Sequence, residues 1–288
     1  MMFNHRLNVF IKVAETGSTT KASKLLFISQ PAVSNAIKKL EDELHVKLFH
    51  RDKVDGLILT DAGEKILVLA KQMEDLSNRM YQTAYWDTHY IGGRVRIAAH
   101  PILTSTLVTK ALRRFRDLHP HVTVEIQEGS PSHVRDLVQR HEVDFAISCE
   151  PYGQFDHKTL VHDRIVAAFP AHMEMPEILN LHDYPDILIL NRDAYETILD
   201  KVPQDAVPNF DNTLLVQTAD TSLTMVSAGI GPALISEYTL DFLTAQPKKC
   251  PICPEINFGI GLFANDLKDL TPASAEFVCI VEELCSTA

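Results

Sequence analysis

The chain has 288 residues, 45% hydrophobic and 23% charged, with five cysteines and a formal charge of −11. That length suits two or three domains of ~100 to 150 residues, no apolar run reaches the ~18 residues of a membrane span, and so few cysteines do not build a disulfide scaffold. The opening stretch MMFNHRLNVFIKVAE has no long apolar segment ending in a small-residue cleavage site, so the cytoplasm is the expected compartment and no membrane partner is expected. The acidity is unevenly placed: residues 1–65 hold ten Lys and Arg against eight Asp and Glu, a net of +2 that leaves −13 for the rest. Exposed charges are screened beyond ~8 Å at physiological salt, so an acidic C-terminal body does not forbid nucleic-acid binding at the N-terminus.

Leu7, Phe10, Ile11 and Val13 fit one face of a helix that stops at Gly17. Ser18 can cap a second helix carrying Ala22, Leu25 and Leu26, and Ser29 a third carrying Val33, Ile37, Leu40 and Leu44. Between the second and third helices there is room only for a tight turn, which is helix-turn-helix geometry. Asp55-Gly56, between Val54 and Leu57-Ile58-Leu59, predicts a hairpin that serves as a wing. Asp61-Ala62-Gly63-Glu64 has capping-box spacing, and Ile66, Leu67, Ala70, Met73, Leu76 and Met80 continue as a long amphipathic helix to about 88. Such a helix can bury its stripe against a second copy of the chain, or against its own C-terminal domain.

After Gly92-Gly93 the pattern alternates strands and helices. Strands at 94–99, 122–126 and 143–148 with helices at 104–118 and 134–140 make one βαβαβ unit. A second theme follows, with strands at 187–190, 213–217, 232–235 and 258–264 and helices near 193–201, 220–228 and 272–285. Two α/β lobes are expected. Cys250-Pro251-Ile252-Cys253 is a lone CxxC among prolines and reads as loop cysteines, with a thiol sensor as the alternative. His119-Pro120-His121 reads as a surface turn, and no metal ligand set is expected.

The N-terminal residues of a recognition helix face the base edges. Gln30 suits adenine and Pro31 and Ala32 suit a thymine methyl, with Asn35 beside them. Ser18, Thr20, Lys21, Ser34, Lys38 and Arg51 suit phosphates. The residues Phe10, Gly17-Ser18, Ala22, Leu25-Leu26, Ser29-Gln30-Pro31-Ala32-Val33-Ser34, Ile37, Leu40-Glu41, Leu44, Leu48-Phe49, Arg51, Leu59-Thr60 and Ala62-Gly63 stand in the order and spacing of the LysR-type transcriptional regulators, which this sequence resembles. Looser matches such as Val143-Asp144-Phe145-Ala146-Ile147 and Ala228-Gly229-Ile230-Gly231 extend the resemblance along the chain. Ser23 replaces a usual alanine, His45 a usual glycine, and the wing looks one residue longer than common.

The resemblance implies an α+β multidomain fold. A winged helix-turn-helix occupies 1–60, a dimerisation helix 61–90, and a two-lobed, periplasmic-binding-protein-like effector domain 91–288, with lobe I at about 91–163 and 265–288 and lobe II at 164–264. It also implies a double-stranded DNA operator, a homodimer or homotetramer, RNA polymerase as a further candidate partner, and a small-molecule co-inducer without any other cofactor. Ligands in open α/β sheets sit beyond the C-terminal ends of strands, where helix N-termini suit anions. His100, Thr104, Ser105, Ser130, Thr218, Asp220 and Thr221 are the candidate effector residues. Their hydroxyls suit carboxylates or other polar ligands, although Asp220 complicates an anionic one, and helix capping is the competing explanation. No GxSxG, GxxxxGK[ST] or HExxH is present, so an enzyme derived from the two-lobed domain and a pure binding module remain alternatives without a motif.

Overall fold

The computed structural model describes residues 5–52, 56–85, 93–182, 184, 187–202, 212–242 and 247–286. Helices α1 (His5–Thr16), α2 (Thr19–Leu26) and α3 (Gln30–Leu44) pack around Phe10, Val13, Ala22, Val33, Ile37 and Leu40, all buried. The caps are those the residue types dictate. Ser18 Oγ accepts from Lys21 N and Ser29 Oγ from Ala32 N, and Gly17 and His45 end α1 and α3 at φ 62° and 54°. Histidine is among the non-glycine residues that tolerate this left-handed geometry. Buried Ser23 donates to Thr20 O at 3.0 Å, which accommodates its replacement of an alanine. Leu25 and Leu44, expected inward, are 59% and 42% exposed.

Strands β1 (Phe49–Asp52) and β2 (Gly56–Leu59) form the hairpin, with Asp52 opposite Gly56. Asp55-Gly56 is therefore not a two-residue turn: Gly56 begins β2 at φ 83°, and Val54 and Asp55 lie outside the described residues. Leu57 N donates to Gly17 O at 3.1 Å, seating the hairpin on the α1–α2 turn. Buried Glu41 accepts from Leu48 N (2.9 Å) and Lys47 Nζ (2.7 Å). Desolvation alone would raise its pKa, and these donors reverse that and hold it below its ordinary value.

Helix α4 (Asp61–Tyr85) is capped by Thr60, not Asp61: Thr60 Oγ1 accepts from Gly63 N at 3.0 Å. The position three residues after that cap is glycine, so no reciprocal capping box forms. The expected extension to 88 lies outside the described residues. One side of α4 completes the reading-head core with Ile66, Leu67 and Ala70. A second, polar side docks on the C-terminal domain through Lys71–Glu142 (3.2 Å), Asp75–Arg96 (2.5 Å), Arg79–Asp269 (2.5 Å) and Gln82 Oε1, which accepts from Ala273 N. The third carries Leu69, Met73, Leu76 and Met80, all 50% exposed or more. The two ways of covering α4 are thus divided between faces: its own domain takes the polar face and leaves the apolar stripe open.

The C-terminal domain is one mixed sheet in the order β4-β3-β5-β12-β6-β10-β8-β9. Strands β3 (Gly93–Ala99), β4 (Val122–Glu128) and β5 (Phe145–Cys149) are parallel. They are flanked by the continuous helix α5 (Pro101–Leu103), a π-helical turn (Thr104–Val108) and α6 (Thr109–Leu118), and by α7 (Pro131–Gln139). The 14-residue strand β6 (Asp156–Phe169) crosses between lobes: its first part pairs with β12 (Asn257–Ala264) and its last with β10 (Ala233–Ser236) and β11 (Lys248–Cys253). Lobe II adds β7 (Leu179–Asn180), β8 (Leu188–Asn191), α8 (Arg192–Lys201), β9 (Thr213–Val216), α9 (Ala219–Ser227) and α10 (Glu237–Phe242). Since β12 pairs with β5, residues 257–264 belong to the lobe I sheet, where the sequence placed them in lobe II. Helix α11 (Pro272–Ser286) returns to lobe I, setting Phe277 between Phe115 and Phe145.

Candidate DNA-reading face and effector cleft

The buried side of α3, made by Val33, Ala36, Ile37 and Leu40, fixes what its other side presents. Gln30, Pro31, Ala32, Asn35 and Lys38 are exposed and Ser34 is half-buried. Thr20, Lys21 and Arg51 are exposed around this face, and Ser18 is half-buried with its hydroxyl committed to the α2 cap. Gln30 Nε2 donates to Ser34 Oγ (3.0 Å) and Thr19 Oγ1 (3.3 Å), which holds the amide across both helices. Its oxygen can accept from a base edge at once, whereas a bidentate pairing with adenine requires Nε2 to exchange one internal bond. Phe27, in the turn between α2 and α3, is 95% exposed at φ 54°, a position the sequence had not singled out.

Between the lobes lies a cavity of about 700 Å³. It brings together five of the seven expected effector residues: His100, Ser105, Ser130, Thr218 and Asp220. Thr104 and Thr221 are outside its lining. Thr104 turns its hydroxyl back to His100 O (3.5 Å), and Thr221 bonds the Thr218 hydroxyl (3.0 Å). Ser130 and Thr218 also act as caps, accepting from His133 N (3.4 Å) and Thr221 N (3.2 Å). Capping and lining are therefore compatible, because a cap at the C-terminal end of a strand already faces the crevice.

The cleft also holds Asn191, Arg192, Lys110, Glu128, Tyr238 and Phe242, which the sequence reading missed. Asn191 ends strand β8 and caps α8 much as Ser130 follows β4 and caps α7, so the strand-end rule could have found it. Tyr238 OH meets Thr106 Oγ1 at 3.1 Å and Lys110 Nζ stands 5.3 Å from the Phe242 ring, two contacts that join α10 of lobe II to lobe I. Beneath them, Asp163 on the crossing strand accepts from Ser236 Oγ (2.6 Å), Tyr238 N (3.0 Å) and Arg164 N (2.7 Å). Burial pushes its carboxyl above the ordinary range despite these donors. Arg164 binds Glu237 at 2.7 Å, and with Lys249 holds the Glu237 carboxyl down at about 2.

The expected loop at Cys250 and Cys253 is strand β11. Side chains three apart on a strand point to opposite faces. Cys250 is accordingly buried and Cys253 exposed, an arrangement unsuited to a mutual disulfide. His119-Pro120-His121 lies at the turn between α6 and β4. Among the described residues no group of three or more His, Cys, Asp or Glu is placed to hold a metal, and no helix is long and apolar enough to cross a membrane.

Comparison with known proteins agrees with this division. Residues 5–64 match the bacterial regulatory helix-turn-helix protein family of lysR type, and residues 89–286 match the LysR substrate binding domain. The HTH-type transcriptional regulator YoaU of Bacillus subtilis is 35% identical over 98% of both chains. Among solved structures, a full-length single-residue variant of OxyR from Pseudomonas aeruginosa covers 98% of this chain and 95% of its own with TM-score 0.76 at 20% identity. Full-length CbnR complexed with its target DNA covers 98% and 99% with TM-score 0.60 at 18% identity. At these identities the structures establish the fold.

Proposed function

The chain belongs to the LysR family of DNA-binding transcriptional regulators, and from that premise we propose that it acts as a homodimer whose paired α3 helices read a near-palindromic operator in the cytoplasm under control of a small molecule held between the lobes. Regulation rather than catalysis is its activity. The observation that carries this reading is the three-sided use of α4. One side completes the reading head, one docks on lobe I, and the apolar stripe Leu69, Met73, Leu76 and Met80 is left for a second copy. Apolar positions spaced alternately four and three residues apart form the seam of a two-helix pairing. Occupancy of the cleft favours one lobe arrangement and, through the α4 dock, one separation of the two heads, a population shift between pre-existing states.

The test is analytical ultracentrifugation with DNase footprinting of the Met73→Glu, Leu76→Glu double variant. Two carboxylates on the seam should yield a monomer that folds but protects no full two-half-site footprint. A dimer of unchanged affinity and footprint would refute the role of the stripe.

A further inference from the structure

The proposed effector site leaves the chemistry of its occupant open, and the charge placement in the cleft narrows it. The polar side chains under a tenth exposed are all neutral: Thr106, Asn191, Thr197 and Thr239. The charged lining residues Lys110, Glu128, Arg192 and Asp220 are exposed, at the rim. Of the two cations there, Arg192 is paired with Glu196 (3.1 Å), while Lys110 stands 5.3 Å from the Phe242 ring and keeps its charge. Glu128 and Asp220 have no ion pair among the described residues.

These carboxylates also offset the features that would attract an anion. Asp220 sits in the first turn of α9 beside the Thr218 cap, while Glu128 at the end of β4 adds a second carboxylate to the rim two residues before Ser130. A carboxylate at a helix N-terminus compensates the partial positive charge of the dipole. Asp163 adds a buried carboxylate behind Ser236 and Tyr238, two lining residues it holds by hydrogen bonds. An anionic ligand buried here would meet neutral hydroxyls, with Glu128, Asp220 and Asp163 outnumbering the one unpaired ammonium of Lys110 at the exposed rim, and burying a charge away from a partner is costly. The walls contributed by Ile102, Ile165, Phe258 and Ile260, with the Tyr238 and Phe242 rings 4.7 Å apart, instead offer apolar surface.

We propose that the cleft takes an uncharged, ring-bearing molecule with hydroxyl, carbonyl or amide substituents, and discriminates against carboxylates. This rests on the cleft being the effector site. Of the carboxylates or other polar ligands that the hydroxyls suit, the charge placement favours the uncharged ones.

The test is calorimetric titration of the full chain with three probes of one shape: naphthamide, naphthoate and naphthylmethylamine. Cleft occupancy is checked with Ser105→Trp and Gln217→Trp, two exposed lining positions on opposite lobes, so that one blocked cleft is available even if the other variant misfolds. Naphthamide should bind about tenfold or more tightly than naphthoate, and lose affinity in the Trp variants. In the Glu128→Gln, Asp220→Asn double variant the gap between amide and carboxylate should narrow. Naphthoate or the amine binding best, in a manner the Trp variants block, would overturn the ligand class while leaving the cleft as the effector site. Probes that fail to bind, or that bind regardless of the Trp variants, would overturn the cleft reading and the class with it.

Discussion

The joint between α4 and lobe I centres on one buried cation. Arg96 donates from Nε and Nη2 to Asp144 Oδ1 (2.9 and 2.7 Å), from Nη2 to Asp75 Oδ1 (2.5 Å) and from Nη1 to His141 O (3.2 Å). Burial alone would lower its pKa, but Asp144 and Asp75 more than reverse this, so Arg96 stays charged. Its two carboxylates are not equivalent. Asp144 is 9% exposed and also accepts from Arg96 N and Ser274 Oγ, within lobe I, whereas Asp75 is 28% exposed and lies on α4. Arg96→Met strands Asp144 as an uncompensated buried charge and should destabilise the lobe by about 3 to 5 kcal/mol. Asp75→Asn keeps the Arg96–Asp144 pair and loses one partly solvated charged bond, so about 1 to 2 kcal/mol is expected, falling on the docking of α4. Urea unfolding measures the first difference, and amide exchange along 71–82 the second. In Asp75→Asn those amides should exchange faster while β3 and β5 keep their protection. An Arg96→Met variant no worse than Asp75→Asn, or an Asp75→Asn variant with lobe I unfolded, would refute the unequal roles of the two carboxylates.

Gln30→Ala should weaken operator binding by about 1 to 3 kcal/mol without changing affinity for random DNA, and equal loss on both in gel-shift titrations would remove it from base reading. Gly63→Ala sets helix propensity, which favours alanine by ~1 kcal/mol, against contact. A Cβ there would stand 2.2 Å from Leu48 O, so the thermal midpoint of the reading head should fall, and a rise would refute the contact. The Glu237 carboxyl, held at about 2 against an ordinary 4.5, contributes stability that is present above pH 4.5 and lost as pH drops toward 2. Glu237→Gln should flatten the acid limb of the stability curve in that window, and an unchanged slope would count against the Arg164–Glu237–Lys249 cluster.

What the sequence made legible were short-range devices. Ser18, Ser29, Ser130 and Thr218 cap helices because a hydroxyl reaches an N–H three residues on, and that geometry depends on nothing distant. The same locality misled at Asp61, where Thr60, one residue earlier, makes the cap. Strand β6 escaped because its first residues are exposed and its last ones buried on both faces, so neither a period of two nor a continuous apolar run describes it. Strand β11 escaped because Pro251 and Pro254 read as turn residues, although Pro251 sits opposite Val166 in the ladder.

The same distinction separates the two functional sites. The base-facing part of the reading face is about two and a half turns of a single helix, Gln30 to Lys38, so residue order and one buried stripe determine which side chains it presents. The cleft's character is set by Glu128 at the end of β4, Asp163 on the crossing strand and Asp220 on α9, three carboxylates of separate elements that only the fold gathers. Along the chain Glu128 ends a strand, Asp163 lies in mid-strand and Asp220 opens a helix, and although Asp220 alone already tells against an anion, the hydroxyl caps beside it and Glu128 point toward one. Only when the caps, the two rim carboxylates and Asp163 behind the wall are set around one cavity does the sign of the field become a property of the site. DNA recognition can therefore be inferred from a contiguous motif, whereas ligand choice in this architecture rests on residues that sequence separates and the two lobes bring together.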